Sequence, residues 1–160
     1  MNMKIRNLTR AAAIAALYVA LTYLANALGL ANGAVQLRFS EALTVPPAFL
    51  PAAVPGLFVG CLPANLLTGA VFTDVICGSL ATLIGAIGTR WIAKRNIYLS
   101  PIPPIFANTL IVPFVLRFAY GVPDALPYLF LTIFAGEFLS CGVLGLPLIR
   151  LLKKRPQLFK

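Results

Sequence analysis

Histidine is absent from this 160-residue sequence, and it holds only 4 acidic residues against 13 lysines and arginines. Because histidine is the side chain best suited to acid–base work near neutral pH and a common metal ligand, its absence argues against most enzyme chemistries. Charged residues make up only 11% of the chain, and hydrophobic residues make up 60%. A soluble domain would carry about a quarter charged residues. The composition therefore predicts an integral membrane protein that is not an enzyme.

Cysteine is also scarce, and Cys61, Cys77 and Cys141 each lie inside an apolar run without metal-ligand spacing. We interpret them as small packing residues, and we predict no metal site and no cofactor in this chain. No glycine-rich phosphate loop ending in Lys-Ser or Lys-Thr occurs, so the chain does not resemble an ATPase. The net charge of +9 does not indicate a nucleic-acid partner, because the basic residues form short clusters between apolar runs.

Long apolar runs dominate the sequence. A helix needs about 20 apolar residues to cross a lipid bilayer, and residues 11–30, 74–93, 98–119 and 126–149 each provide one such run. Residues 42–73 carry no charge and are too long for one ordinary crossing. The first half of this stretch is interrupted by Pro46, Pro47, Pro51 and Pro55. This pattern predicts a short, irregular span at 40–53, a tight turn at 53–56 and a further span at 56–73.

The excess of positive charge on cytoplasmic loops sets the number of crossings. Two crossings within 42–73 place all three basic clusters on the same side, whereas one crossing would place the second cluster outside. The clusters are Lys4, Arg6 and Arg10; Arg90, Lys94 and Arg95; and Arg150, Lys153, Lys154, Arg155 and Lys160. We therefore predict one all-α membrane domain over 1–160, a six-transmembrane-helix bundle with both termini cytoplasmic.

The acidic residues are Glu41, Asp74, Asp124 and Glu137, and Glu137 falls about midway along the last predicted span. An ionisable group at membrane depth is costly and marks function by default. Glu137 is therefore the first candidate for contacting a ligand, with a structural pair to Arg117 or to a polar neighbour as the alternative. Asp74 is balanced between capping the fourth span and contacting a ligand.

Further polar and aromatic residues lie at similar levels in the predicted bundle. Arg38 and Glu41 are three residues apart and could simply pair with each other. Asn65 and Asn108 could bond to neighbouring helices or to a ligand, and Phe72 could stack on a flat ligand or anchor the membrane interface. Together these residues predict a pocket for a small polar ligand that enters from outside. The candidate ligand-binding residues are Glu137, Glu41, Asp74, Asn65, Asn108, Arg38, Phe72 and Arg117.

Small residues recur every four positions along the first predicted span. Such a face lets another helix approach closely, either within the bundle or in a partner protein. We favour a partner protein because the face is long. The residues of this alanine face are Ala11, Ala12, Ala15, Ala16 and Ala20.

Four stretches of the sequence resemble one known family. They are VQLRFSEALTVPP at 35–47, PGLFVGCLPANLLTGAVFTDVICGSLATLIGAIGT at 55–89, FANTLIVPFVLRFAYG at 106–121 and GEFLSCGVLGLPL at 136–148. In this order they are similar to the QueT family, the substrate-binding subunits (S-components) of energy-coupling-factor (ECF) transporters for queuosine precursors. Two positions depart from the family pattern: Pro46 replaces an aliphatic residue, and Phe72-Thr73 precede Asp74 where a Trp-Asp pair is expected.

The resemblance implies partners and a ligand. The partners are a transmembrane coupling subunit, which would dock on the alanine face, and two cytoplasmic ATPases that use ATP. The chain itself would lie in the bacterial plasma membrane. The ligand is 7-aminomethyl-7-deazaguanine or a related base such as queuine. Glu137 or Glu41 would accept the two N–H hydrogen bonds of its guanine edge. Asn65 or Asn108 would hydrogen-bond to its carbonyl. Asp74 would bind the ammonium group of its side arm.

Two alternatives remain open at this point. An S-component for another vitamin-like ligand keeps the class and changes the ligand. A stand-alone secondary transporter would use Glu137 as a proton relay.

Overall fold

The computed structural model describes residues 2–31 and 36–158, so Lys160 of the third basic cluster lies outside the described residues. Every regular element in the described residues is helical. The α-helices are α1 (Met3–Ala27), α2 (Ala53–Leu67), α3 (Phe72–Ile92), α4 (Ile102–Phe118), α5 (Leu126–Glu137) and α6 (Gly145–Lys153). Short 3-10 helices cover Phe39–Thr44, Pro46–Ala48, Ile97–Leu99 and Pro156–Leu158, and a π-helical turn covers Phe138–Val143. The predicted all-α fold class is confirmed for the described residues.

Four helical segments are long and apolar enough to cross a membrane, and α2 is a shorter apolar helix. The four segments are Met3–Ala27, Phe72–Ile92, Ile97–Phe118 and Leu126–Lys153. Many large apolar side chains remain exposed on their outer surfaces. An apolar exterior of this extent is stable in lipid rather than in water, so the prediction of a membrane protein is confirmed.

The proline-rich stretch between α1 and α2 is irregular, as its composition predicts. It forms two 3-10 helices, Phe39–Thr44 and Pro46–Ala48, because prolines at this density remove the donors that a continuous α-helix needs. The predicted tight turn at 53–56 is wrong, since α2 already begins at Ala53 and the chain turns at 49–52.

This irregular stretch runs from one end of α1 to the other. Arg38 lines a cavity together with Asn26, near the C-terminal end of α1. Pro51 lines a groove together with Lys4, near the N-terminal end of α1. We call these the cavity end and the groove end of the bundle. Because 38–51 links the two ends, α1 and α2 both run from the groove end to the cavity end.

Small residues bring neighbouring helices into close contact. A Cβ atom on Gly56 would lie 2.7 Å from the backbone oxygen of Ala11, and one on Gly60 would lie 2.8 Å from the Cα of Ala15. Any side chain at these two glycines would collide with α1. The glycines therefore fix the close packing of α1 against α2.

The last predicted span, 126–149, is not one continuous α-helix. α5 ends at Glu137, and the π-helical turn Phe138–Val143 joins it to α6. At Gly136 the backbone of Gln36 passes so close that no side chain would fit. The backbone N–H of Arg38 also donates to Ser140 Oγ over 3.2 Å. These contacts seat the start of the irregular stretch against the last helical segment.

Charge separates along the bundle. α3 begins beside the cavity with Asp74 and ends with Arg90 in its last turn. α6 ends with Lys153, whose Nζ lies 5.0 Å from the centroid of the Tyr98 ring, near the start of α4. Lys4, Arg90 and Lys153 therefore lie at the groove end, while Asp74 lies at the cavity end together with Arg38.

Candidate functional site

A polar cavity of about 100 Å³ opens at the cavity end. It lies between the C-terminal ends of α1 and α2, the start of α3 and the residues that follow α4. Its described lining is largely polar, in contrast to the apolar outer surface of the helices. The lining residues are Thr22, Asn26, Ala31, Arg38, Asn65, Thr68, Gly69, Ala70, Asp74 and Tyr120.

Asp74 is the acidic residue of this cavity, and it is only 3% exposed. It sits in the first turn of α3, where the positive end of the helix dipole favours a carboxylate. Its Oδ2 accepts a hydrogen bond of 2.8 Å from the Tyr120 hydroxyl. Its Oδ1 is buried, and no donor among the described residues lies within hydrogen-bond distance of it. Half of this carboxylate is therefore unsatisfied.

Tyr120 holds Asp74 from the segment after α4. Burial and the neighbouring Asp74 carboxylate raise the pKa of Tyr120 to about 12. The phenol consequently keeps its proton at neutral pH and donates to Asp74. Its oxygen also accepts from the backbone N–H of Val71 over 3.3 Å, so Tyr120 fixes the entry into α3.

Asn65 and Arg38 complete the polar wall. Asn65 is buried near the end of α2, and among the described residues its Nδ2 donates to Cys61 Sγ alone, over 3.5 Å. Sulfur is a weak acceptor, so this amide retains donor capacity. Arg38 faces Asp74 across the cavity, and the two charges attract each other.

A second polar cluster lies one turn of α1 deeper in the bundle. Its centre is Glu41, 2% exposed, in the 3-10 helix Phe39–Thr44. The Tyr18 hydroxyl donates to Glu41 Oε1, and Asn108 Nδ2 donates to Glu41 Oε2 over 3.4 Å. Both carboxylate oxygens of Glu41 are therefore paired within the protein. Glu41, Asn108 and Glu137 do not belong to the described lining of the cavity.

Glu137 joins this inner cluster from the end of α5. Cys141 Sγ donates to Glu137 Oε2 over 3.4 Å and also lies 3.4 Å from the backbone oxygen of Glu41. Thr44 Oγ1 lies 3.6 Å from Cys141 Sγ. The π-helical turn thus carries Cys141 back to Glu137 and across to the irregular stretch.

The atoms of Glu41, Glu137 and Cys141 that could ligate a metal, one from each residue, lie within 4.8 Å of one another. Two carboxylates and a thiol suit a divalent cation by their chemistry. Each group, however, already takes part in a hydrogen bond with a neighbouring protein group. The arrangement is accounted for by these bonds without an ion.

Two predicted ligand-binding residues lie elsewhere. Phe72 is 73% exposed, because it precedes Asp74 by two positions on α3 and so points to nearly the opposite side of that helix. Arg117 is exposed, and its Nη1 donates to the backbone oxygen of Val122 over 2.9 Å. The predicted pocket roles of Phe72 and Arg117, and the alternative pair of Arg117 with Glu137, are not supported by this placement.

Three hydroxyl groups that organise the site were not predicted from the sequence. Tyr18 lies in the middle of an alanine-rich helix, where an aromatic residue most often faces lipid, yet it is 1% exposed and binds Glu41. Thr22 lies one turn further along, lines the cavity and donates to Ser40 Oγ over 2.7 Å. Tyr120, just after α4, donates to Asp74 Oδ2. A spacing of four between Tyr18 and Thr22 is the signal that could have identified the polar stripe on α1.

The predicted alanine face divides into two parts. Ala11 and Ala15 pack against Gly56 and Gly60 of α2, whereas Ala12, Ala16 and Ala20 are exposed. Ala11, Ala12 and Ala15 also line the groove at the groove end, an apolar depression of about 640 Å³. Its other walls come from α1 and the start of α2, and they include Leu8, Pro51, Pro55 and Val59.

Comparison with known proteins decides the family. The profile of the QueT transporter family matches residues 8–154, which is nearly the whole chain. This chain belongs to the QueT transporter family. The resemblance inferred from its sequence is thereby confirmed, and so is its class as a membrane transport protein.

One relative in this family is the queuosine precursor transporter QueT of Lactococcus lactis subsp. cremoris, strain MG1363. It is 36% identical to the chain over 73 residues. The aligned stretch covers 46% of this chain and 43% of that relative, so it spans less than half the length of the curated QueT protein. No solved structure matches the chain.

Proposed function

We propose that this chain is the substrate-binding subunit of an ECF-type transporter that imports a queuosine precursor, 7-aminomethyl-7-deazaguanine or a related deazaguanine. The observation that carries the proposal is the half-satisfied Asp74 carboxylate in a polar cavity of a QueT-family membrane bundle. A buried acceptor without a donor is costly unless a ligand pairs with it. A base rich in N–H donors meets that need.

In this proposal the bundle crosses the plasma membrane six times, with the cavity end outside and both termini in the cytoplasm. The irregular stretch is the second crossing, because 38–51 links the two ends of α1. At about 2 Å per residue for a 3-10 helix, it spans roughly 26 Å, close to the ~30 Å hydrocarbon layer. Its unpaired backbone groups are shielded because half of its residues are buried in the bundle and, of the others, Pro51 alone is exposed.

In this proposal, the residues that line the cavity contact the ligand, and the deeper polar residues support them. Asp74, Asn65 and Arg38 contact the ligand directly, since they line the cavity. Glu41, Asn108 and Glu137 form the floor, which holds the irregular stretch in place through Tyr18 and Cys141. The cavity of about 100 Å³ is smaller than ordinary ligand sites of about 300–1,000 Å³. The cavity would therefore have to widen when a base enters.

The groove end is the proposed docking side for a transmembrane coupling subunit, which carries two cytoplasmic ATPases. Exposed Ala12, Ala16 and Ala20 allow a partner helix to approach α1 closely. ATP hydrolysis by the partners then drives release of the ligand inside the cell. This chain supplies the binding site, and its partners supply the catalysis.

A second candidate function is favoured by the proximity of Glu41 and Glu137. The two carboxylates are buried and have oxygens within 4.8 Å of each other, which would suit a secondary transporter that uses Glu137 as a proton relay. In that case uptake would need no ATPase.

The test starts from the purified chain in detergent. Mass spectrometry of the small molecule that co-purifies, followed by calorimetric titration, should identify a deazaguanine that binds with nanomolar affinity. Tight binding of riboflavin or biotin with none of deazaguanines would refute the ligand. Proton-dependent uptake by proteoliposomes lacking the ATPases would refute the ECF assignment and support the second candidate.

A further inference from the structure

Gly78 keeps a gap open between two polar groups beside the cavity. It lies one turn after Asp74 on α3 and is buried. A Cβ atom at this position would lie 3.2 Å from Asn65 Nδ2 and 3.2 Å from Asp74 Oδ1. A donor on α2 and an acceptor on α3 therefore converge over the same bare stretch of helix.

Both groups have unused hydrogen-bonding capacity. Asp74 Oδ1 is buried, and no donor among the described residues reaches it. Asn65 Nδ2 carries two N–H groups, and its contact within the described chain is the 3.5 Å bond to Cys61 Sγ. The pair thus offers one donor and one acceptor side by side, next to a cavity that both residues line.

A donor beside an acceptor complements a lactam edge, in which a ring carbonyl adjoins a ring N–H. We propose that Asn65 and Asp74 recognise this edge of the heterocycle. Asn65 Nδ2 donates to the ring carbonyl oxygen, and the ring N–H donates to Asp74 Oδ1. This inference rests on the proposed function and deepens it, because it assigns the base edge to Asp74 and leaves the ammonium arm to another group.

An adenine-type edge also presents one donor beside one acceptor, an amino group and a bare ring nitrogen. In the orientation that pairs the lactam, its amino group would meet the Asn65 amide N–H and its ring nitrogen would meet the Asp74 carboxylate. With the ring turned over, both hydrogen bonds would form, so Asn65 and Asp74 select the pattern of the edge, and contacts with the rest of the ring select the base.

The experiment titrates the purified chain with two ligands that share the base edge, 7-aminomethyl-7-deazaguanine and 7-deazaguanine, which lacks the arm. Asp74→Asn keeps an oxygen for the Tyr120 hydroxyl and turns an N–H toward the ligand. We expect this variant to lower the affinity for both ligands by the same factor, about 100-fold. A loss confined to the aminomethyl compound would place Asp74 at the arm and overturn the inference. An unchanged affinity for both ligands would overturn it as well.

Gly78→Ala provides an independent check, since its methyl group would enter the gap. We expect loss of binding to both ligands with an unchanged melting temperature. The matched control is Gly142→Ala, whose Cβ would meet only the Phe138 ring, at 3.6 Å, an ordinary contact. Normal affinity in Gly78→Ala would contradict the inference. If the unaltered chain binds neither ligand, the proposed function fails together with it, whereas wild-type binding with unequal losses refutes the edge assignment alone.

Discussion

Asp74 and Glu41 are both buried carboxylates in an apolar bundle, but their surroundings differ. Both oxygens of Glu41 accept hydrogen bonds, from Tyr18 and Asn108. Asp74 has a partner on one oxygen only and borders a cavity. We infer from this difference that Glu41 holds the protein together, and we propose that Asp74 binds the ligand. Burial alone does not distinguish these two roles, whereas hydrogen-bond satisfaction does.

The largest expected effect falls on Glu41. Glu41→Ala would leave the Tyr18 hydroxyl and the Asn108 amide buried without their partner, at about 1–3 kcal/mol for each group. We expect the free energy of unfolding to fall by about 2–5 kcal/mol, measured by denaturant titration in detergent. Glu41→Gln keeps an acceptor for Tyr18 and is the control, and its free energy of unfolding should fall by less. An Ala variant as stable as the wild type would show that Glu41 does not support the fold.

The next effect concerns the two sides of α1. Gly60→Ala would push a Cβ atom to 2.8 Å from the Cα of Ala15, so it should destabilise the bundle by about 1–3 kcal/mol. Ala16→Leu lies on the exposed side and should change stability by less than about 0.5 kcal/mol. The same Ala16→Leu variant should still bind ligand but lose uptake in cells. Normal uptake would count against this side of α1 as a docking surface.

A smaller effect is expected at Tyr120. Tyr120→Phe removes the donor to Asp74 Oδ2 and one acceptor for Val71. The carboxylate would then be less firmly held, and ligand affinity should fall about tenfold, equivalent to one hydrogen bond to a charged group. Calorimetric titration of the variant measures this loss. An affinity within twofold of the wild type would mean that Asp74 needs no such support.

The smallest effect is expected at Phe72, which points away from the cavity. Phe72→Ala should leave ligand affinity within about twofold, since surface substitutions away from a site typically change little. The titration used for Tyr120→Phe measures this as well. A tenfold loss would restore the stacking role that the sequence suggested for this residue.

Several features could be predicted from the sequence because single physical rules determine them. Proline density predicted the irregular stretch, and apolar runs predicted the long helices. Asp74, Asn65 and Arg38 were predicted to share a pocket, and they line one cavity.

Other features depend on the direction in which a side chain leaves its helix and on contacts between residues far apart in the sequence. The sequence pattern determines neither of these. Phe72 was predicted beside Asp74, but it is exposed because two positions on a helix nearly reverse the direction of a side chain. Glu41 and Glu137 were grouped with Asp74 because nothing in the sequence pairs Glu41 with Tyr18, 23 residues earlier. The gap over Gly78 requires α2 and α3 to pack together, so it became visible only in the structure.

The most direct test of this account compares Asp74→Asn with Glu137→Gln in one calorimetric titration of 7-aminomethyl-7-deazaguanine. Gln at 137 keeps an oxygen for the Cys141 thiol, whereas Asn at 74 loses one carboxylate oxygen and with it the unpaired acceptor. We predict a loss of about 100-fold for Asp74→Asn and less than about threefold for Glu137→Gln. Full affinity in Asp74→Asn together with a large loss in Glu137→Gln would contradict the account and place the ligand at the inner cluster.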